Sequence, residues 1–134
     1  MNLIEKLIRI DKEKYTEKET KKIKSKRLSK ILGEDTEITI KAVNGRRLND
    51  IYGTIVGKDG KREFSKSYDM NLMFCVNGVI EPNLKDAALM EYFGARTPKD
   101  LAEILFDSEA GEIADEIAEL SGYSEDSEEE VKNS

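Results

Sequence analysis

The nearest approach to a nucleotide site in this sequence is Gly53-Thr54-Ile55-Val56-Gly57-Lys58-Asp59. A phosphate-binding loop needs four residues between its glycines, then lysine, then a serine or threonine hydroxyl for magnesium. Here three residues intervene and Asp59 stands where the hydroxyl belongs. A carboxylate there repels phosphate, so the segment reads as a solvated turn. Cys75 is the single cysteine and lies in the apolar run Leu72–Val76. With no histidine in the chain, nothing of the usual kind activates it, and it reads as a buried small hydrophobe. The lack of histidine also excludes a Ser-His-Asp triad and any His-ligated metal. One cysteine excludes an internal disulfide and a cysteine zinc site. Glu128-Glu129-Glu130 could attract Ca²⁺ but lacks the alternating ligands and turn glycine of an EF-hand. Glu109, Glu112, Asp115, Glu116 and Glu119 fall on or near one exposed helical face, where no pKa perturbation is expected. The expectation is a protein that is not an enzyme, with no cofactor and no metal.

The remaining chemistry is charge. Lys21, Lys22, Lys24, Lys26, Arg27 and Lys30 crowd one ten-residue segment, enough to neutralise several phosphates. Aromatic residues for base stacking are missing from it. The whole chain carries −6, which also weighs against nucleic acid as the partner. The charge is divided unevenly, with +7 over residues 1–67 and −13 over residues 68–134. Such a split suits two surfaces with different partners, head-to-tail contact between copies, or solvated tails around a small core.

These residues must be held by a modest scaffold. Leu, Ile, Val and Phe together number 33 of 134 residues, above the roughly one-fifth below which disorder prevails. One domain is expected, with residues 1–22 a short helix and charged linker, residues 23–123 the globular part, and residues 124–134 a disordered acidic tail. Leu3, Ile4, Leu7 and Ile8 mark the short amphipathic helix. Glu37–Val43 alternates with period two and is β-branched, a strand signal. The simplest arrangement is an antiparallel hairpin, with strands near 22–30 and 37–43 and a turn near 31–36. A helix is expected near 46–56, and another after an Asp69 cap, closed by Gly78 at its C′ position. Asn83 should cap a helix ending at Gly94. Thr97 with Pro98 should open the next, carrying Leu101, Ile104 and Leu105 on its apolar face. The last starts near Ser108 and repeats Ala110, Ile113, Ala114, Ile117 and Leu120 at three- and four-residue steps. The fold class is therefore α+β, mostly α: an N-terminal β-hairpin followed by four or five short packed helices. No stretch approaches the ~20 apolar residues of a membrane span. Met1–Ile10 does not read as a signal peptide, so the cytoplasm is the expected location and no membrane partner is expected.

The order of these features resembles a known family. Arg27-Leu28 precedes a short strand. Glu81-Pro82-Asn83-Leu84-Lys85-Asp86 opens a helix that closes at Tyr92-Phe93-Gly94. Thr97-Pro98 leads into Leu101–Leu105, and Gly111-Glu112-Ile113 into Ile117–Gly122. Together these resemble the XkdN-like tail assembly chaperones of contractile-tailed phages and defective prophages of Gram-positive bacteria, over most of residues 23–134. The resemblance implies a non-enzymatic morphogenesis factor of the bacterial host cytoplasm. Such a factor binds the tape-measure protein, keeps it soluble, helps tube subunits assemble around it, and is absent from the mature particle. Genes of that family often carry a programmed frameshift near their end, and the ending Lys132-Asn133-Ser134 would suit the unshifted form. The tail tube protein is a second candidate partner, and self-association a third. A tape measure is long, helical and apolar in stretches, so its chaperone needs apolar helical stripes. The candidate partner-binding residues are Leu101, Ile104, Leu105, Ile113, Ile117 and Leu120, although the same stripes could instead form the domain's own core. The competing classes are a small phage nucleic-acid-associated or regulatory protein using the basic segment 21–30, and a structural tail component.

Overall fold

The computed structural model describes residues 1–122; the expected acidic tail, residues 124–134, lies outside the described residues. The chain is mixed α+β and mostly helical. Two short helices, α1 (Leu3–Arg9) and α2 (Lys12–Thr16), precede strand β1 (Thr20–Lys24). β1 thus begins inside the segment expected as linker. Helix α3 (Lys26–Leu32) separates β1 from β2 (Glu37–Lys41), and α4 (Gly45–Gly53) follows. A 3₁₀ turn at Phe64–Lys66 leads into α5 (Ser67–Gly78), which runs directly into β3 (Val79–Glu81). After the cis peptide Glu81–Pro82 come α6 (Ala87–Phe93), α7 (Pro98–Phe106), a 3₁₀ turn at Asp107–Glu109, and α8 (Ala110–Leu120).

The expected hairpin is corrected by these elements. β1 and β2 do pair antiparallel, with Thr20 opposite Lys41 and Ile23 opposite Ile38. Their connection, however, is a helix. The Ser25 hydroxyl accepts the Leu28 N–H at the start of α3, and Gly33 closes it in the left-handed region at φ 75°. Those two residues cap seven helical residues, Lys26–Leu32, and leave no room for a strand to continue to residue 30. The sheet also has a third strand. β3 pairs antiparallel with β2, with Ile40 opposite Val79, so β2 is central and the order is β1-β2-β3.

Two expected caps move as well. α5 starts at Ser67, which places Asp69 in its first turn and not at its cap. Asn83 forms an Asx turn, accepting the Lys85 N–H at 3.0 Å, and the cap of α6 is Asp86, which accepts the Leu89 N–H at 2.8 Å. Thr97 caps α7 through the Asp100 N–H at 3.1 Å, with Pro98 at the first position.

The core gathers around α5. Alternation along β2 sends Ile38 and Ile40 to one face, where both are buried. They join Leu72, Phe74 and Cys75 of α5, Leu101 and Phe106 of α7, and Ile113 and Ile117 of α8. α5 packs most extensively against α8, then α7. Gly78 makes that approach possible: a Cβ there would lie 2.6 Å from Ile117 Cδ1. Tyr52 of α4 meets Phe74 edge-to-face, ring centroids 5.5 Å apart.

Candidate functional site

The six residues expected to bind a partner do not form one surface. Leu101, Ile113 and Ile117 are buried against α5 and β2. Leu105 and Leu120 are half-buried and pack on the same core. Ile104 alone is open to solvent, 38% exposed. The apolar period of α7 and α8 is thus spent mainly on the chain's own interior, and only Ile104 keeps a large free face.

The basic segment is pinned to the acidic half of the chain. Ser25, 1% exposed, donates its hydroxyl to Glu109 Oε1. The other Glu109 oxygen accepts the Arg27 backbone N–H at 3.0 Å. One carboxylate therefore takes up the orphan Arg27 amide at the start of α3 together with the Ser25 hydroxyl, where negative charge also suits the helix dipole. The Arg27 guanidinium donates to the carbonyls of Leu105 at 3.0 Å and Ile104 at 3.2 Å. These lie at the C-terminal end of α7, where cations are favoured. Lys21 pairs with Glu116 of α8 at 2.8 Å, and its ammonium is held above the usual lysine range by that hydrogen bond and charge. Lys24 pairs with Asp35 at 3.0 Å. Half of the six cations are engaged within the chain, and the charge split read from the sequence is met in part by intramolecular contact. Lys22, Lys26 and Lys30 remain exposed.

Apolar side chains face solvent in several places on the body of the protein, Tyr92 and Phe93 of α6 among them, and two places bear on binding. The first is on α3 and α7. Arg27 holds α3 beside Ile104, and one turn further along α3 Ile31 and Leu32 are exposed. The second is a cleft of about 560 Å³ between α4, the 57–66 loop, α5 and α8. Ile55, Met70, Phe74, Ala114 and Ala118 line its floor, Phe64 stands at its edge 92% exposed, and Arg62, Glu63, Asp115 and Glu119 rim it. Partial burial, and then the neighbouring Glu116 and Glu112, push the Asp115 carboxyl above the usual range. This departs from the expectation that the α8 carboxylates are unperturbed. Ile31, Leu32 and Phe64 were missed as surface residues. Their available signal was large apolar side chains directly beside turn or basic residues, at Gly33 and within Lys61–Lys66.

The glycine-lysine segment is a closed turn. Gly57 N–H donates to Lys61 O at 2.8 Å, Gly60 N–H to Gly57 O at 3.0 Å, and Lys61 N–H to Asp59 Oδ1 at 3.0 Å. These amides point into the turn and cannot cradle a phosphate. Cys75 is fully buried, and desolvation pushes its thiol up to about 12. Among the described residues no helix is long and apolar enough to cross a membrane.

The model of the phage XkdN-like tail assembly chaperone proteins matches residues 4–133. This chain belongs to that family. The match takes in most of the N-terminal segment as well as the region from residue 23 to residue 133 that carried the motifs. The XkdN-like chain is also similar in fold to a crystal structure of the protein YqbN, with TM-score 0.57, 15% identity, and coverage of 79% of this chain and 88% of that one. At that identity the likeness speaks for the fold alone. No curated protein matches. Membership makes the chain a phage tail assembly chaperone, with tail proteins as its partners.

Proposed function

We propose that this tail assembly chaperone binds the tape-measure protein, keeps it soluble while tube subunits assemble along it, and leaves before the particle is complete. The observation that carries the proposal is the family match across nearly the whole chain. It acts by binding and not by catalysis, in the cytoplasm of the infected cell. A tape measure offers long helices with apolar stretches, which aggregate when uncovered. The exposed apolar side chains Ile31 and Leu32 of α3 and Ile104 of α7 suit such a client, and the exposed cations Lys26 and Lys30 of α3 keep that region soluble. Of the six candidate residues, Ile104 is the most exposed, and it is the one assigned to touch the client. Leu101, Leu105, Ile113, Ile117 and Leu120 support it from the core.

Co-expression with the tape-measure protein tests this. The chain should co-purify with it and raise its soluble yield, and nuclease treatment should not release it. Ile31→Asp with Ile104→Asp should lower co-purification at least tenfold while the unfolding midpoint holds. Added salt should weaken the complex little, since apolar contact dominates. Recovery only before nuclease treatment, or tight oligonucleotide binding that falls steeply with salt, would replace this function with one based on the basic segment. Persistence of the chain in purified particles would make it a structural tail component.

A further inference from the structure

α1 is an amphipathic helix whose apolar side chains no described residue buries. Leu3, Ile4, Leu7 and Ile8 form one stripe at helical spacing, with Glu5, Lys6 and Arg9 on the opposite side. These four and Ile10 are 47–76% exposed, and neither α1 nor α2 contributes a buried residue. The helix is nonetheless locally well made. The Asn2 side chain accepts the Glu5 N–H at 2.9 Å, and the Tyr15 hydroxyl of α2 donates to Leu7 O. Isolated helices shorter than ~12 residues are marginal in water. A seven-residue helix with an open apolar stripe therefore needs a surface to lie on.

The cleft between α4, α5 and α8 is the complementary feature. Its floor is apolar and is left unfilled by the side chains of the described residues. Its rim carries Asp115 and Glu119 against Arg62, and a third carboxylate, Glu63, paired with Lys66 at 3.3 Å. The arm brings Lys6 and Arg9 against Glu5. We propose that α1 of one copy docks in the α4–α5–α8 cleft of a second copy, giving head-to-tail self-association. The pairing joins an apolar stripe to an apolar floor and a basic arm to an acidic rim. It is heterologous, because arm and cleft are different surfaces. Each added copy presents a fresh arm and a fresh cleft, so chains or rings form and not only dimers. The stripe offers a few hundred Å² of apolar surface, which places the contact among weak, concentration-dependent interfaces below ~1,200 Å² in total.

Sedimentation of the purified full chain over a range of concentrations tests this without any tail protein, so its outcome is separate from that of tape-measure binding. Average mass should rise with concentration. An arm variant, Leu7→Asp with Ile8→Asp, and a cleft variant, Phe64→Lys, should each raise the self-association constant for dissociation at least tenfold. Phe64 is on the surface, so its substitution should leave the fold intact. Ala118→Arg serves as a second cleft variant, used once circular dichroism shows that it is folded. The decisive sample is a mixture of arm and cleft variants. Each alone should stay monomeric, whereas the mixture should form a one-to-one pair, because one intact arm and one intact cleft remain. A chain that is monomeric at every concentration, or a mixture that stays monomeric, overturns the proposal. So does an arm that binds anionic vesicles while the protein stays monomeric, which would make α1 a membrane-surface helix.

Discussion

Replacing Gly78 with alanine should destabilise the protein, and the cost should vanish when Ile117 is also cut back. A Cβ at position 78 would sit 2.6, 2.7 and 2.9 Å from Cδ1, Cγ2 and Cγ1 of Ile117. Rotating the terminal methyl away clears only one of the three contacts. Ile117 is fully buried, so any larger shift displaces its neighbours. Overpacking of this kind costs about 1–3 kcal/mol. Gly78 is the last residue of α5, where alanine regains about 0.5–1 kcal/mol of backbone entropy. The net expectation is a loss of about 1–2 kcal/mol. Ile117→Ala alone should cost about 2–5 kcal/mol through the cavity it leaves. In that background the new methyl meets empty space, and Gly78→Ala should become stabilising by about 0.5–1 kcal/mol. The cycle therefore predicts a coupling of roughly 1.5–3 kcal/mol, at the upper end of what touching residues show. Urea unfolding of the four proteins, followed by far-UV circular dichroism and tyrosine fluorescence, measures it. If Gly78→Ala is neutral or stabilising in the parent chain, or the two changes simply add, α5 and α8 do not meet at Gly78 and the central packing is wrong.

Other expectations concern single groups. Ser25→Ala removes both the cap of α3 and a buried hydroxyl's bond to Glu109, and should cost about 1–2 kcal/mol by the same unfolding assay. Glu109→Ala should cost at least as much, because it leaves the buried Ser25 hydroxyl and the Arg27 amide without their acceptor. Cys75 should resist thiol reagents in the native state and react only on unfolding. Its folded pKa, about 12, lies above the ordinary thiol value of 9.0. The unfolded chain therefore loses its proton first, and stability should fall as pH rises between those values, with no contribution below the lower one. Asp115→Asn should stabilise the protein at neutral pH. The folded carboxyl is held above the usual range, so its charged form is disfavoured by folding. That advantage should disappear as pH drops below the ordinary aspartate range and both states bind the proton, which a pH series of thermal melts checks.

Much of the local structure was written in short-range signals. Thr97-Pro98 opens α7 and Gly94 closes α6, because a cap needs only a side chain and an amide three residues apart, or one residue tolerant of positive φ. The alternation of Ile38 and Ile40 placed β2 for the same reason, since a strand's two faces are set by its own period. Ser25 and Gly33 carried equally local evidence for α3, but a row of β-compatible residues followed by an obvious strand was easily read as a hairpin. The Asn83–Asp86 pair shows the limit of this reasoning. Both residues can cap, and the Asx turn at Asn83 decided between them.

The candidate site was harder to read, because its features depend on residues far apart in the chain. The family motifs and the division of charge were fixed by composition and order alone, and the motifs already pointed to the tail assembly chaperones. Tertiary structure decided where the binding could occur. Glu109 reaches Ser25 across 84 positions, Val79 joins the sheet beside Ile40, and Gly78 exists for the sake of Ile117. None of these pairings leaves a local trace. An apolar stripe such as Leu101-Ile104-Leu105 has the same period whether a neighbouring helix or a partner will cover it. Burial depends on which distant element packs there, and the packing of α5 against α7 and α8 took Leu101, Ile113 and Ile117 into the core and left Ile104, Ile31 and the α1 stripe in solvent.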